Sequence, residues 1–168
     1  SGGASAPTAA DSVFFDQPGT YTVTLAGSPV CLDMTLSAGT VTFAGSTTLV
    51  VSGSMTLLAG TTWTNAGTVN FNATTTGKTL TTNGVSFGGP ITFNGAGGEW
   101  TLGSALTSTG AITLTAGTFT TNNYAVTATS LSSSNSNTRT INLGSSTVTL
   151  TLTNPIVMST TTNLTLNA

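Results

Sequence analysis

The segment Thr20–Leu25, which reads TYTVTL, decides the fold class because apolar and polar side chains alternate strictly along it. In an extended chain Tyr21, Val23 and Leu25 point to one side and the threonines point to the other. β-Branched and aromatic residues favour strands, and a period of two places one set inside and the other in solvent. The segment therefore predicts a half-buried β-strand.

The same alternation recurs in short segments along the whole chain. These segments are Thr40–Phe43, Thr68–Phe71, Ile91–Phe93, Trp100–Leu102, Ile112–Leu114, Thr118–Thr120, Ile141–Leu143 and Thr147–Leu152. Glycine and asparagine separate them, as at Ala38-Gly39 and Asn83-Gly84, and supply the positive φ that tight turns need. No stretch shows a sustained helical period, so the chain is predicted to be all-β.

The spacing of the segments indicates a repeat of about 20 residues. The steps from Val23 to Val41, from Val69 to Ile91 and from Ile91 to Ile112 all lie close to that length. The step from Val41 to Val69 is clearly longer, which implies either an insertion in one coil or a pair that is not equivalent. The repeat predicts a parallel β-solenoid, whose stacked coils share one core. An antiparallel β-sandwich is the alternative, since its strands alternate as well.

One domain is predicted over residues 11–168, with residues 1–10 as a linker or cloning remnant, and the whole as a piece of a longer protein. We expect a cap over Val13–Phe15, and an end at Leu164–Leu166 that frays or pairs with another molecule. The predicted core consists of Tyr21, Val23, Leu25, Val41, Phe43, Val69, Phe71, Ile91, Phe93, Ile112, Leu114, Phe119, Ile141, Leu143, Val148 and Leu150.

Charged residues make up only 4% of the chain, and this scarcity excludes several classes of function. The two basic residues, Lys78 and Arg139, lie far apart, whereas a nucleic-acid partner requires clustered lysine and arginine. The sequence contains neither a long apolar run nor a basic amphipathic helix, so membrane insertion is not expected.

The side chains that common enzyme chemistry requires are scarce too. Histidine is absent, which excludes a Ser-His-Asp triad and a histidine metal site. Asp11 and Asp16 are close in sequence, and a glycosidase needs two carboxylates, but no basic residue accompanies them and both are interpreted as turn residues. Asp33 and Glu99 are predicted to lie on the solvated outer face, and Lys78 in an exposed turn. We expect no enzymatic activity and no cofactor.

Four further residues carry individual predictions. Cys31 is interpreted as a buried apolar residue of a strand, and Arg139 as a corner residue whose head group binds carbonyl oxygens. Trp100 alternates with Leu102 and is predicted to be in the core. Trp63 lies in a polar run, and its sequence leaves open whether it is buried or stacks on a sugar. Tyr21 and Tyr124 are the other aromatic residues considered for sugar stacking.

The chain resembles bacterial and phage surface proteins built on β-helical repeats over about residues 10 to 153. The likeness rests on Asp11–Asp16, Tyr21–Leu25, Thr79–Val85, Gly98–Leu102 and Ser133–Thr140. It implies a right-handed β-helix on an adhesin, a tail fibre or a cell-surface array, and hence an extracellular, cell-surface or virion location. It implies no catalytic residues.

These observations predict a non-enzymatic structural or adhesive segment, whose partner is a glycan, a cell-surface ligand or a neighbouring copy. An ice-binding protein is the alternative, because outward Thr-x-Thr pairs resemble the ice-binding faces of solenoid antifreeze proteins. A carbohydrate-active enzyme comes third. The unequal steps from Val23 to Val41 and from Val41 to Val69 argue against one continuous lattice and predict no thermal hysteresis. The candidate ligand face comprises Thr113, Thr115, Thr147, Thr149 and Thr151.

Overall fold

The computed structural model describes residues 5–168, and within that range all regular structure is β-strand. The strands are β1 Val13–Phe15, β2 Thr20–Leu25, β3 Val30–Cys31, β4 Met34–Leu36, β5 Thr40–Gly45, β6 Leu49–Val51, β7 Met55–Thr56, β8 Thr62–Trp63, β9 Val69–Phe71, β10 Lys78–Thr81, β11 Ser86–Phe87, β12 Ile91–Leu102, β13 Leu106–Ser108, β14 Ile112–Thr120, β15 Val126–Ala128, β16 Leu131–Ser132, β17 Arg139–Asn142, β18 Val148–Leu150, β19 Ile156–Val157 and β20 Leu164–Asn167. Every strand pair within these residues is parallel, and the strands stack about 21 residues apart in about seven turns. The β-solenoid is confirmed, and the antiparallel sandwich is excluded.

Each coil contributes one strand to each of three faces. The first face is formed by β2, β5 and β8, followed by β11, β13, β15 and β18. The second face is formed by β3, β6, β9, the first halves of β12 and β14, β16 and β19. The third face is formed by β1, β4, β7, β10, the second halves of β12 and β14, β17 and β20. β12 and β14 each run from the second face to the third, and their pairing shifts register at the corner between Phe93 and Glu99.

A close backbone approach joins the two parts of the first face. A Cβ atom at Gly88 would lie 3.0 Å from the carbonyl oxygen of Trp63, so glycine gives the chain after β11 room to pass close to β8. The rings of Trp63 and Phe87 are 5.0 Å apart on the inner side of the same two strands. The first face therefore consists of two hydrogen-bonded sheets, β2-β5-β8 and β11-β13-β15-β18, which lie next to each other without a strand pairing between β8 and β11.

The core follows the alternation that the sequence displays. In β5, Val41 and Phe43 are fully buried and Thr42 between them is half-exposed. Eleven of the predicted core residues are buried: Leu25, Val41, Phe43, Val69, Phe71, Ile91, Phe93, Ile112, Leu114, Phe119 and Ile141. The other five are half-buried and pack against that core from the coils nearest the two ends: Tyr21, Val23, Leu143, Val148 and Leu150.

Two aromatic stacks run along the interior. In the first, the ring of Trp63 lies 4.7 Å from that of Phe43 and 5.0 Å from that of Phe87. The second stack consists of Phe71, Phe93, Trp100 and Phe119. Pairs of this kind contribute about 0.5–1.5 kcal/mol each beyond the burial of their area. Trp100 is a core residue as predicted, and Trp63, which is only 4% exposed, proves to be one as well.

The register between coils corrects two of the four steps measured on the sequence. Tyr21 lies opposite Val41 and Val23 opposite Phe43, so the step from Val23 to Val41 joined positions that are not equivalent. Val41 and Val69 lie on different faces, so the long step between them has no structural meaning. The steps from Val69 to Ile91 and from Ile91 to Ile112 are confirmed. The errors arose because strands on all three faces alternate in the same way.

Buried polar side chains close the corners between faces. The hydroxyl of Thr82 donates to the carbonyl oxygen of Ala105 at 2.6 Å, and that of Ser108 donates to the carbonyl oxygen of Gly89 at 2.8 Å. Thr121 and Ser133 make equivalent bonds to neighbouring coils. The corner carbonyls, which lie outside the strand ladders, are thereby satisfied.

Candidate functional site

The two carboxylates considered as a catalytic pair are both hydrogen-bonded to residues close in sequence. The backbone N–H and the hydroxyl of Thr8 donate to the Asp11 carboxylate at 2.9 and 2.6 Å, and these bonds lower the pKa of Asp11. Asp16 is exposed and accepts a bond from the side-chain amide of Gln17 at 3.0 Å. Asp11 thus closes a turn as the sequence predicted, whereas Asp16 lies in the exposed connection between β1 and β2.

Asp33 departs from its prediction as a solvated outer-face residue. It is half-buried, and its carboxylate accepts the backbone N–H of Ser54 at 2.6 Å and the hydroxyl of Ser12 at 3.2 Å. A Cβ atom at Gly53 would collide with this carboxylate, so the glycine makes room for it. Asp33 therefore links three successive coils. Glu99 is half-exposed at an outward position of β12, opposite Thr118, in keeping with its prediction.

Cys31 is buried in β3 and only 2% exposed, as the sequence predicted. Burial, with a smaller contribution from the charge of Asp33, raises the pKa of the Cys31 thiol from an ordinary 9.0 to about 11. The thiol is therefore protonated at neutral pH, and a protonated thiol is a poor nucleophile.

Arg139 is 1% exposed and occupies a corner, as predicted. Its guanidinium donates to the carbonyl oxygens of Ser133, Asn137, Thr160 and Thr162 at distances of 2.7, 2.8, 3.3 and 2.6 Å. These acceptors belong to two neighbouring turns, so the side chain joins them. Arg139 is thus committed to structure rather than presented to a ligand.

Two concavities within residues 5–168 were considered as sites, and neither brings several reactive groups together. A cavity of about 440 Å³ opens at the first coil between apolar side chains that include Phe15, Val23, Met34 and Leu49. A second, of about 580 Å³, lies near Asn137 on uncharged residues. No cluster of three or more histidine, cysteine, aspartate or glutamate residues occurs within this range. Of the aromatic residues considered for sugar stacking, only Tyr124 is exposed, at 39%.

The five threonines predicted as a ligand face lie on two different faces. Thr113 and Thr115 belong to β14 on the second face. Thr149 belongs to β18 on the first face, and Thr147 and Thr151 flank that strand. The five therefore do not form one surface.

The first face carries a more extensive array than the sequence reading recognised. One outward position holds a hydroxyl residue in all seven coils, and we call this column the hydroxyl ladder. Its members are Thr22, Thr42, Thr62, Ser86, Thr107, Thr127 and Thr149. Successive members follow one another at close to one coil length, and the step from Thr62 to Ser86 is the longest. All seven are exposed or half-exposed.

A second column lies two positions further along each coil, and we call it the side ladder. It consists of Thr24, Ala44, Thr64, Gly88, Thr109, Thr129 and Thr151. Five of its seven positions are threonine. The two ladders together are called the hydroxyl face. Thr-x-Thr pairs that recur once per coil are the sequence signal of this face, and an alignment of apolar residues does not reveal them.

No helix within residues 5–168 is long and apolar enough to cross a membrane. No protein-family model, no curated protein and no solved structure matches the chain.

Proposed function

We propose that the chain is a non-enzymatic structural and adhesive segment of a protein on the surface of a cell or virion. The observation that carries the proposal is the continuous core, which extends from Phe15 in the first strand to Leu150 in the last coil. A stack of coils that share such a core behaves as one rod, because each inner coil is hydrogen-bonded on both sides. A rod of this kind suits a spacer that holds a partner away from a surface.

The exterior and the last coil support the same role. Outward side chains are mostly hydroxyl-bearing and uncharged, which keeps the rod soluble without concentrating charge. Leu152, Ile156 and Leu166 of the last coil are 54, 63 and 49% exposed. An apolar edge with unpaired strand backbone fits a neighbouring β-solenoid coil, from the same protein or another copy, while the long faces remain free for a glycan or a cell-surface ligand.

Two measurements test this proposal. Antibodies against the purified domain should label intact cells or virions of the source, because a surface segment is accessible without lysis. The domain should also release no product from a panel of polysaccharides. If the domain releases product, and this activity disappears in both Asp11→Asn and Asp16→Asn, the chain is a carbohydrate-active enzyme and not a structural segment. If antibodies label only lysed material, the surface location is wrong.

A further inference from the structure

We infer that the hydroxyl face is an ice-binding surface. This function goes beyond the structural role and does not depend on it. The observation behind it is the hydroxyl ladder, in which every one of seven coils places threonine or serine at the same outward position. Composition alone does not explain such regularity, because the second face of the same threonine-rich chain lacks it.

The second face provides that comparison. Its outward column is aligned by the same kind of parallel register, yet it mixes apolar, amide and hydroxyl side chains. In coil order it consists of Val30, Val50, Asn70, Thr92, Thr113, Ser132 and Val157. Exposure on a strand therefore does not by itself select threonine in this protein. The uniform column is a property of the first face.

Strand geometry gives the hydroxyl face the dimensions of a lattice. Hydrogen-bonded parallel strands lie about 4.8 Å apart, and alternate residues along a strand lie about 6.6 Å apart. Within each of the two sheets the hydroxyl ladder therefore repeats hydroxyl and methyl groups at strand spacing. The five threonines of the side ladder add a second row that is interrupted at Ala44 and Gly88. The oxygen atoms on a prism face of hexagonal ice repeat at comparable intervals in two directions. Water held on the hydroxyl face is thus already arranged nearly as the ice surface requires.

The hydroxyl groups of the hydroxyl face are free to bind water. Within residues 5–168 only Thr64 of the two ladders uses its hydroxyl inside the protein, donating to the carbonyl oxygen of Phe43 at 3.1 Å. The third face differs, because the amide of Asn142 donates to the Thr120 hydroxyl at 3.0 Å and its oxygen in turn accepts from Asn167 at 2.7 Å. These three side chains of the third face satisfy one another, whereas the hydroxyls of the hydroxyl face other than that of Thr64 are left to an external partner.

The chemistry of the hydroxyl face favours ordered water over a polysaccharide. Its two ladders contain no aromatic residue on which a sugar ring could stack and no charge that would hold a disordered hydration shell. Threonine is stiff at χ1, so the face loses little side-chain entropy when it binds a rigid surface. A lattice of methyl and hydroxyl groups is complementary to ice.

The hydrogen-bonded ladder of the first face is interrupted once, between β8 and β11, where the Trp63 and Phe87 rings are in contact. The longest step along the hydroxyl ladder separates Thr62 from Ser86. More residues separate Met55 from its partner Leu80 than separate Val51 from its partner Phe71. The additional residues therefore lie between Phe71 and Leu80. The exposed turn at residues 74–77 accommodates them on another side of the solenoid. The unequal steps at Val23, Val41 and Val69 joined positions that are not equivalent, so they do not measure the regularity of the hydroxyl ladder within each sheet.

Thermal hysteresis and ice-crystal shape, measured on the purified domain in a nanolitre osmometer at millimolar concentration, test this inference. The unmutated domain should shape ice crystals and show hysteresis. Thr127→Tyr, in the hydroxyl ladder between Thr107 and Thr149, should abolish both, because the ring would hold ice away from its neighbours. Thr113→Tyr is the matched control, being half-exposed in a column of the second face, and should leave both unchanged.

A second variant protects the test from a folding defect. Thr127→Val keeps the shape of the side chain and removes only the hydroxyl, so hysteresis should fall while circular dichroism and melting temperature stay the same. The inference is overturned if the unmutated domain leaves ice growth unaffected, or if Thr127→Tyr and Thr113→Tyr act equally. It is also overturned if crystalline chitin or cellulose, but not ice, retains the domain in a manner that depends on Thr127. None of these results bears on surface labelling or polysaccharide hydrolysis.

Discussion

Arg139 shows how this fold holds a buried charge without an ion pair. Its guanidinium offers five N–H donors in a rigid fork, and the corner supplies carbonyl oxygens from Ser133 and Asn137 on one turn and from Thr160 and Thr162 on the next. The acceptors are backbone groups that would otherwise lack partners in a corner. The charge and the orphan carbonyls therefore satisfy each other.

Replacing Arg139 should show what that arrangement contributes. Arg139→Met keeps an apolar stem but leaves several buried carbonyl oxygens unbonded, each at about 1–3 kcal/mol. We expect the free energy of unfolding to fall by about 3 kcal/mol or more, measured by urea denaturation. Arg139→Lys should lose less, because an ammonium group still donates three bonds. A methionine variant as stable as the original protein would show that these bonds contribute nothing net.

Cys31 should make stability depend on pH in the alkaline range. The thiol ionises near pH 9.0 when the chain is unfolded but only near 11 when it is folded. The thiol therefore makes its full contribution to the free energy of unfolding below pH 9.0, and this contribution is lost as the pH rises towards 11. Relative to Cys31→Ala, the original protein should lose on the order of 2 kcal/mol of unfolding free energy over this window. A constant difference between the two proteins across the window would contradict the burial of the thiol.

At the scale of the strand, alternation predicts opposite outcomes for neighbouring residues. Val41→Asp places an unpaired carboxylate in the core, where desolvation is expensive, and we expect a loss of about 3 kcal/mol or more. Thr42→Asp, the next residue of β5, points outward and should cost less than about 1 kcal/mol. Chemical denaturation of both variants provides the measurement. Equal losses would mean that the inner and outer sides of β5 are wrongly assigned.

The sequence determined which side chains of a strand point inward, but not which face a strand belongs to. The alternation of inward and outward side chains is a local property of one strand. Val41 and Phe43 are therefore assigned correctly to the core from their sequence neighbours alone. The face to which a strand belongs depends on where the chain turns its corners. In addition, a buried residue is difficult to recognise within a polar segment, as Trp63 shows. For the same reason the hydroxyl ladder was recognised only at Thr149. Asp33 was misplaced because its burial depends on the space left by Gly53 in the next coil.

At the scale of the whole molecule, the coils differ in how many neighbours they have. β12 pairs with β9, β10 and β14 and is enclosed on both sides. β18, β19 and β20 each pair with one strand only among residues 5–168. Ile156 and Leu166 continue buried columns of the core, yet they stay exposed because no coil of the described chain covers them. Stability should therefore decrease from the middle of the rod towards this edge.

Hydrogen exchange followed by mass spectrometry on the 168-residue chain should reveal that gradient. Amides of β12 and β14 can exchange only when several coils separate, so their protection should approach that of global unfolding. Amides of β19 and β20 need only one interface to open, and the last coil buries less apolar surface, so they should exchange much faster. The oligomeric state must be measured in the same buffer, because an exposed strand edge can pair with another copy and gain protection. Equal protection of β14 and β20 in a monomer would show that the last coil is stabilised by something other than stacking.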